Sequence, residues 1–321
     1  MRAILSQAGA PSIRDEGLDM ITVFGSINVD FVTRVAHIAQ AGETVLGPDY
    51  QVFAGGKGGN QALACMRAGA PTRMIGAVGH DPFAQIGLQP LEQAGVDLSH
   101  IQRVDAPTGA AFIAVSDAGE NAITVASGAN RLASAAALSA LTLEPSDLVL
   151  LQRELPDAQT LAAARWAKAQ GARVILNIAP AGWLDPALLD NIDILIANEG
   201  EILSLAGQSG MVATNPDEIA MQLDRDRAIT TIVTMGEQGV LAWSDGVRRQ
   251  IDALKVDVLD TTAAGDSFCG AFAAALHRGF GLTGALQRGV AAGSLACTQL
   301  GAQSSIPELA AIEHALEGQF A

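Results

Sequence analysis

The chain has 321 residues, 49% hydrophobic and only 4% aromatic, which is long enough for one large core or two ordinary ones and too apolar for a disordered chain. A net charge of −15 excludes a general nucleic-acid binder, since phosphate affinity needs clustered Lys and Arg, yet backbone amides and a metal ion can still hold a nucleotide locally. Cys65, Cys269 and Cys297 fit neither a zinc spacing nor a secreted disulfide framework, so they read as free thiols in a reducing cytosol. No uncharged apolar run of about 20 residues marks a membrane span.

Residues 1–19 mix Arg14, Asp15 and Glu16 with Gly and Pro and lack an apolar signal core, so they read as a floppy extension or a start site chosen too early. Met20 to Val29 predicts a buried strand interrupted by Gly25. Asn28 and Asp30, two apart, share a face at its carboxyl end if the chain stays extended. Short alternating pieces and turn residues fill the stretch from Phe31 to Phe53. Ala54 to Asn60 reads as a glycine loop ahead of a helix from Gln61 to Arg67. Lys57 is followed by glycine rather than Ser or Thr, so this is not a Walker A loop, and its position does not suit a dinucleotide fingerprint. Two readings stand: backbone that approaches a ligand with Lys57 and Asn60 as donors, or a flexible turn capped by Asn60.

Met74 to Val78 predicts a strand, and Asp81 to Gln93 a helix closing at Gly95. Thr108 to Ser116 and Asn121 to Ala126 predict a hairpin around Asp117 to Glu120, an addition to the early group of short strands. From Arg131 strands and helices alternate. Strands are predicted at Leu148 to Leu151, Val174 to Asn177, Asp193 to Ala197 and Thr230 to Thr234. Helices are predicted at Asp157 to Gln170, Glu199 to Leu205 and Asp217 to Leu223. A hairpin turns at Asp245-Gly246. Such β–α units imply a mostly parallel sheet with helices on both faces, and ligands at the carboxyl ends of its strands. Glu154, Asn198 with Glu199 and Glu201, and the turn from Thr234 to Gly239 all follow such ends. Each also has a plain structural role as a helix-start or turn residue.

Val258 and Leu259 read as the end of a buried strand, and Phe268 to His277 as a helix closed by Gly279. Ala263, Ala264 and Gly265 then stand at a helix start, where unpaired N–H groups and the macrodipole suit an anion. Asp266 stands at the same spot, either as an ordinary first-turn acid or as a base beside a phosphoryl group. Gly281 to Leu300 reads as helical. No His stands with Ser or Cys partners, so a nucleophilic mechanism has no support.

Several stretches together resemble the ribokinase-like (PfkB-type) carbohydrate kinases, over about Ile21 to Pro307. They are Gly25-Ser26-Ile27-Asn28-Val29-Asp30, Gly42-Glu43-Thr44, Gly55-Gly56-Lys57-Gly58-Gly59-Asn60-Gln61, Gly119-Glu120-Asn121, Gly128-Ala129-Asn130 and Asp260-Thr261-Thr262-Ala263-Ala264-Gly265-Asp266. The resemblance implies an α/β fold: a mostly parallel sheet sandwiched by helices in one domain over 20–321, with a small β lid from about 30–54 and 107–128. It implies ATP-dependent phosphorylation of the 5-hydroxyl of D-ribose, with Asp266 as general base and the amides of Ala263, Ala264, Gly265 and Asp266 as anion hole. Asn28, Asp30, Gly56, Lys57, Asn60 and Glu154 would bind the sugar. Asn198, Glu201, Thr234, Gly236, Gly239 and Gly265 would bind ATP with magnesium. Asp260, Thr262, Ala296, Gln299, Gly301 and Ser305 would hold an activating monovalent cation, usually potassium. It also implies a cytoplasmic homodimer paired through the lid. Other outcomes are a kinase of another sugar or a nucleoside, such as 2-deoxyribose or a ketohexose, or a sugar- or nucleotide-binding module without turnover. The chain departs from the family pattern at Gly59, where Ala is usual, at Arg153, where an apolar residue is usual, and at Ala39-Gln40, where a proline is common.

Overall fold

The computed structural model describes residues 20–319, so the extension read over 1–19 lies outside the described residues. In chain order the strands are β1 (Ile21–Phe24), β2 (Asn28–Val35), β3 (Gln51–Gly55), β4 (Thr72–Ile75), β5 (Ala77–Val78), β6 (Gln102–Arg103), β7 (Gly109–Ser116), β8 (Asn121–Ala126), β9 (Leu148–Leu151), β10 (Arg173–Asn177), β11 (Ile194–Asn198), β12 (Thr230–Thr234), β13 (Val240–Ser244) and β14 (Val247–Ile251). The helices are α1 (Lys57–Arg67), α2 (Pro82–Ala94), α3 (Asp157–Ala169), α4 (Pro186–Leu189), α5 (Glu199–Ser209), α6 (Pro216–Arg227), α7 (Ala264–His277), α8 (Leu282–Ala296) and α9 (Leu309–Gln319).

Eight strands form the main sheet in the order β14-β13-β12-β11-β10-β9-β1-β4. Every pair from β12 to β4 is parallel, and the β13–β14 hairpin adds an antiparallel edge. Period-two alternation splits the core. Leu148 and Leu150 face the side packed by α1, α7 and α8, while Val149 and Leu151 face the side packed by α3, α5 and α6. A second sheet, β3-β2-β7-β8, pairs β2 with β7 in parallel and closes on either side with antiparallel neighbours. Both the mostly parallel helix-flanked sheet and the small additional sheet agree with the expected fold class.

Several expectations need correction, among them the strand read over Met74 to Val78, which is β4 in the main sheet and β5 in a two-stranded sheet with β6. The strand read over Met20 to Val29 is two strands in two sheets: β1 ends at Phe24, and β2 begins at Asn28. Asn28 and Asp30 therefore sit in the small sheet rather than at the end of the first main-sheet strand. The glycine stretch is mostly helix, because α1 already starts at Lys57. Ser26 makes that early start possible. Its carbonyl accepts from the Gly59 N–H (2.9 Å) and its hydroxyl from the Gly58 N–H (3.3 Å), which satisfies helix-start donors that would otherwise be orphaned. Val258 and Leu259 end no strand and are 62% and 65% exposed. Among the described residues no strand pairs with them; Leu259 N–H instead donates to the Cys297 carbonyl just past α8. Helix α7 begins at Ala264, one turn before the expected Phe268, and α8 stops at Ala296.

Gly58 and Gly59 differ sharply. A Cβ on Gly58 would lie 2.5 Å from backbone atoms of Gly25 and Ser26, whereas one on Gly59 would meet first the Gln303 side-chain amide at 3.2 Å. We predict that Gly58→Ala destabilises the protein by about 2 kcal/mol or more, since rigid backbone must move. Gly59→Ala should stay within about 1 kcal/mol of the parent, because helix propensity gained offsets a small shift of a flexible side chain. Urea denaturation midpoints of the two variants check this, and equal midpoints would refute it.

Candidate active site

Asp266 lies in the first turn of α7 and is buried. Consecutive residues of α1 grip both of its oxygens. Asn60 Nδ2 donates to Oδ2 at 2.9 Å and Gln61 Nε2 to Oδ1 at 2.8 Å. Gln61 Nε2 also reaches Asn177 Oδ1 (3.1 Å), and Gln61 Oε1 accepts from Gln152 Nε2 (2.7 Å). The carboxylate is thus aimed by a buried amide network that joins α1 to the ends of β9 and β10.

The backbone beside it is open. Ala263, which caps α7, takes a left-handed conformation at φ 59°, a state that costs a non-glycine residue about 1 kcal/mol. Ala264 N–H donates to the Thr261 carbonyl and Ser267 N–H to the Ala263 carbonyl. The N–H groups of Gly265 and Asp266, between them, have no backbone partner among the described residues. Nothing lies within 4 Å of a Cβ built on Gly265, so this side of the helix start faces free space. Unpaired donors at the positive end of a 14-residue helix form an anion site.

That free space is a pocket of about 220 Å³ bounded by Lys57, Asn198, Glu201, Thr234, Ala263, Gly265 and Asp266. The structure therefore gathers seven of the expected site residues from four separate stretches of chain. Through Thr234, Thr261 and Gly265 the pocket meets a larger crevice of about 810 Å³, which also takes in Gly236 and Gly239 and has Leu254, Val256, Val258 and Phe268 in its wall. Asn198 and Glu201 bond each other reciprocally as a capping box at the start of α5.

On the other side of Asp266, Glu154 Oε2 accepts from the Ser26 hydroxyl and from the Lys57 N–H at 3.0 Å. Asn28 Oδ1 accepts from Asn130 Nδ2 at 2.7 Å. The Gly56 φ is 88°, and a Cβ there would lie 2.7 Å from the Asn28 nitrogen, so β2 and the α1 start meet only because this residue is glycine. Asp30 lies over Gly55, where a Cβ would fall 2.2 Å from its Oδ2. Burial, then the charges of Glu154 and Asp266, raise the Asp30 pKa to about 7. The field of Asp266 first, opposed by burial and assisted by Glu154 and Glu201, raises the pKa of Lys57.

The expected cation residues are brought together only in part. Asp260 Oδ1 accepts from the Thr262 N–H and hydroxyl, and its Oδ2 from the Gly301 N–H at 2.9 Å. Partial burial pushes this carboxyl up, but the donors from Thr262 and Gly301 outweigh it and hold the pKa below its usual value. Ala296, Gln299 and Ser305 lie on the same following segment, where Gln299 N–H donates to the Ala296 carbonyl and the Ser305 hydroxyl to the Ala302 carbonyl, with no bond to Asp260. Sequence reasoning missed Ser26, Gln61, Asn130, Gln152 and Asn177. Gln152 and Asn177 carried a usable signal, as polar residues that close otherwise apolar strands.

A buried carboxylate beside a helix-start anion site, between a polar cleft under a small sheet and a nucleotide-sized crevice, is the layout of a small-molecule kinase. Residues 18–309 match the model of the pfkB family carbohydrate kinases, and the chain belongs to that family. It is 40% identical over 304 residues to a ribokinase of Haemophilus influenzae, covering 92% of this chain and 99% of that one. Among solved structures, the ribokinase of Thermotoga maritima superimposes with a TM-score of 0.85 at 35% identity, covering 94% of this chain and 100% of that one. The Arabidopsis thaliana ribokinase complexed with ribose and ATP gives 0.82 at 30% identity, covering 93% and 99%.

The raised pKa of Asp30 has a signed effect on stability. Between its ordinary value of 3.8 and about 7, folded protein holds a proton that the unfolded chain has released. Stability from this group is therefore present at the acid end of that window and is lost as pH rises through it. We predict that Asp30→Asn melts higher than the parent at pH 8 and that the difference shrinks toward pH 5. Thermal melts at the two pH values check this, and a difference that grows on acidification would overturn it.

Proposed function

We propose that this chain transfers the γ-phosphoryl group of ATP to the 5-hydroxyl of D-ribose. The observation that carries the reading is Asp266, held at both oxygens by Asn60 and Gln61 and set beside the unpaired N–H groups of Gly265 and itself. Asp266 takes the proton of the attacking hydroxyl. The turn through Ala263 and Ala264, whose own N–H is taken by Thr261, leaves the amides of Gly265 and Asp266 open to stabilise charge on the transferred group, which is most of what phosphoryl transfer asks of a protein. Asn28, Asp30, Gly56, Lys57, Asn60 and Glu154 bind the sugar between the small sheet and α1. The buried Asn60 Oδ1, which lacks a partner, supports a hydroxyl donor there.

ATP lies with its phosphates toward Asn198, Glu201, Thr234 and Gly265 and its nucleoside in the larger crevice near Gly236 and Gly239. No group of three or more His, Cys, Asp or Glu among the described residues could cage a metal. Oxygen donors of Glu201 and Asn198 at the pocket edge fit magnesium, which keeps several waters and leans on substrate phosphates. When bound with ATP, magnesium would cancel phosphate charge. The oxygen-only set of Asp260, Thr262, Ala296, Gln299, Gly301 and Ser305 fits a monovalent cation such as potassium, which would brace the turn before α7. We place the enzyme in the cytoplasm, a reading that the free, buried Cys65 and Cys269 support.

The small sheet serves as a lid and as a homodimer interface in this reading. Support comes from Phe112, Ile123 and Val125, which are 52%, 55% and 48% exposed on β7 and β8. We predict that the parent sediments as a dimer and that Ile123→Lys with Val125→Lys shifts it to monomer; a monomeric parent would sink the interface.

Activity is tested with ATP, Mg²⁺ and a panel of D-ribose, 2-deoxyribose, ketohexoses and nucleosides, with and without K⁺. D-ribose should give the highest kcat/KM. Asp266→Asn should lower kcat by roughly 10²–10⁴. Unchanged turnover removes Asp266 from the role, and no ATP consumption with any substrate favours a binding module.

A further inference from the structure

The tripeptide after β9 sends its side chains to different tasks. Gln152 joins the amide network behind Asp266, and Glu154 bonds Ser26 and the Lys57 N–H. Arg153 points elsewhere. Its side chain is only 8% exposed, yet Asp157, the acid it pairs with among the described residues, is 45% exposed and 3.5 Å away, a contact of little worth. Backbone carbonyls take its two terminal nitrogens instead, while the buried Nε has no partner among the described residues. Nη1 donates to the carbonyls of Pro180 (3.2 Å) and Gly182 (3.0 Å), and Nη2 to that of Trp183. The Arg153 N–H adds a bond to the Ala179 carbonyl at 3.0 Å. One residue thus holds four carbonyls, those of Ala179, Pro180, Gly182 and Trp183, in the segment that leaves β10.

That segment borders the chemistry. Ala179 is in the wall of the pocket that holds Lys57, Gly265 and Asp266. Its far side is tied to α5, whose first residues bound the same pocket: Gln208 Nε2 donates to the Gly182 carbonyl (3.0 Å), and Gln208 Oε1 accepts from the Leu184 N–H (3.2 Å). We propose that Arg153 is a positioning residue that fixes the 179–183 segment and, through Ala179 at its start, the wall of the phosphoryl-transfer pocket, and so sets how the transferred group lies against Asp266. This rests on the kinase reading above. An apolar side chain here would leave three carbonyls without these donors, and a lysine offers donors without the planar fork.

The geometry makes the effect separable. Glu154 keeps its bonds to Ser26 and Lys57 without the guanidinium, so the sugar grip should survive its loss. In a W166F/W243F background, Trp183 is the sole tryptophan of the three and reports on the segment itself. Arg153→Met should lower kcat roughly 10- to 100-fold, leave KM for D-ribose within about threefold, and lower the fluorescence anisotropy of Trp183. Arg153→Lys should be intermediate in both kcat and anisotropy, and it keeps the test open if the methionine variant fails to fold. Gln208→Ala, which loosens the segment from its other side, should lower kcat in the same sense. An unchanged kcat with a loosened Trp183 overturns the proposal, as does an unchanged anisotropy. A parent inert toward every sugar would sink the kinase reading instead and leave the Trp183 anisotropy to decide the anchoring.

Discussion

The hold of α1 on Asp266 organises the molecule. Asn60 and Gln61 are adjacent in sequence and grip a carboxylate 206 and 205 positions away. For this to happen α1 must start where it does, flush against the link between β1 and β2, and that start depends on Ser26 and on the missing side chain at Gly58. It also fixes α7, whose first turn carries both the carboxylate and the open amides. A buried side chain held by two amide donors is costly to disturb, since loss of either leaves it partly unpaired. The strained Ala263 is affordable only within such a frame, because neighbouring structure over-determines it.

The charge arrangement is the second theme. The chain carries −15 overall, and Asp30, Glu154, Glu201 and Asp266 all act on the same cleft. Attraction of a polyanion cannot come from the bulk field of such a protein. What the cleft offers is local: Lys57, the amides at the α7 start, and an edge where a divalent ion can share phosphate oxygens. Burial first, then the charges of Glu154 and Asp266, raise the Asp30 pKa, while the field of Asp266, helped by Glu154 and Glu201, raises that of Lys57, so Asp266 and Glu154 favour the ammonium even as they hinder a neighbouring acid.

Much of the fold was legible in the chain, and the reasons are particular. Leu148 to Leu151, Thr230 to Thr234 and the hairpin at Asp245-Gly246 carry clear local signals, and they stand where those signals put them. Lys57 to Asn60 misled because glycines argue for a loop until Ser26, some thirty residues earlier, supplies the helix-start acceptors. Val258 and Leu259 misled because apolar pairs predict burial, whereas here one of them walls a ligand-sized crevice. Within the site, Asp266, Lys57, Glu154 and Asn198 could be picked out from motif and strand-end position. Gln152 and Asn177 also stood out as polar strand ends, but their pairing through Gln61 could not be read, since those bonds span 91 to 205 positions.

The switch of the chain from β1 into β2 has a consequence for how such a protein diversifies. The small sheet is assembled from two excursions, one between β1 and α1 and one that ends before β9, and both return to the main sheet. It contributes Asn28 and Asp30, whereas Glu154, Lys57 and Asp266 belong to the body. Changes in the excursions can therefore alter the polar groups that the small sheet presents to the cleft while leaving the α7 start and its hold by α1 in place. The two meet at Ser26, whose hydroxyl donates to Glu154 and accepts from the start of α1.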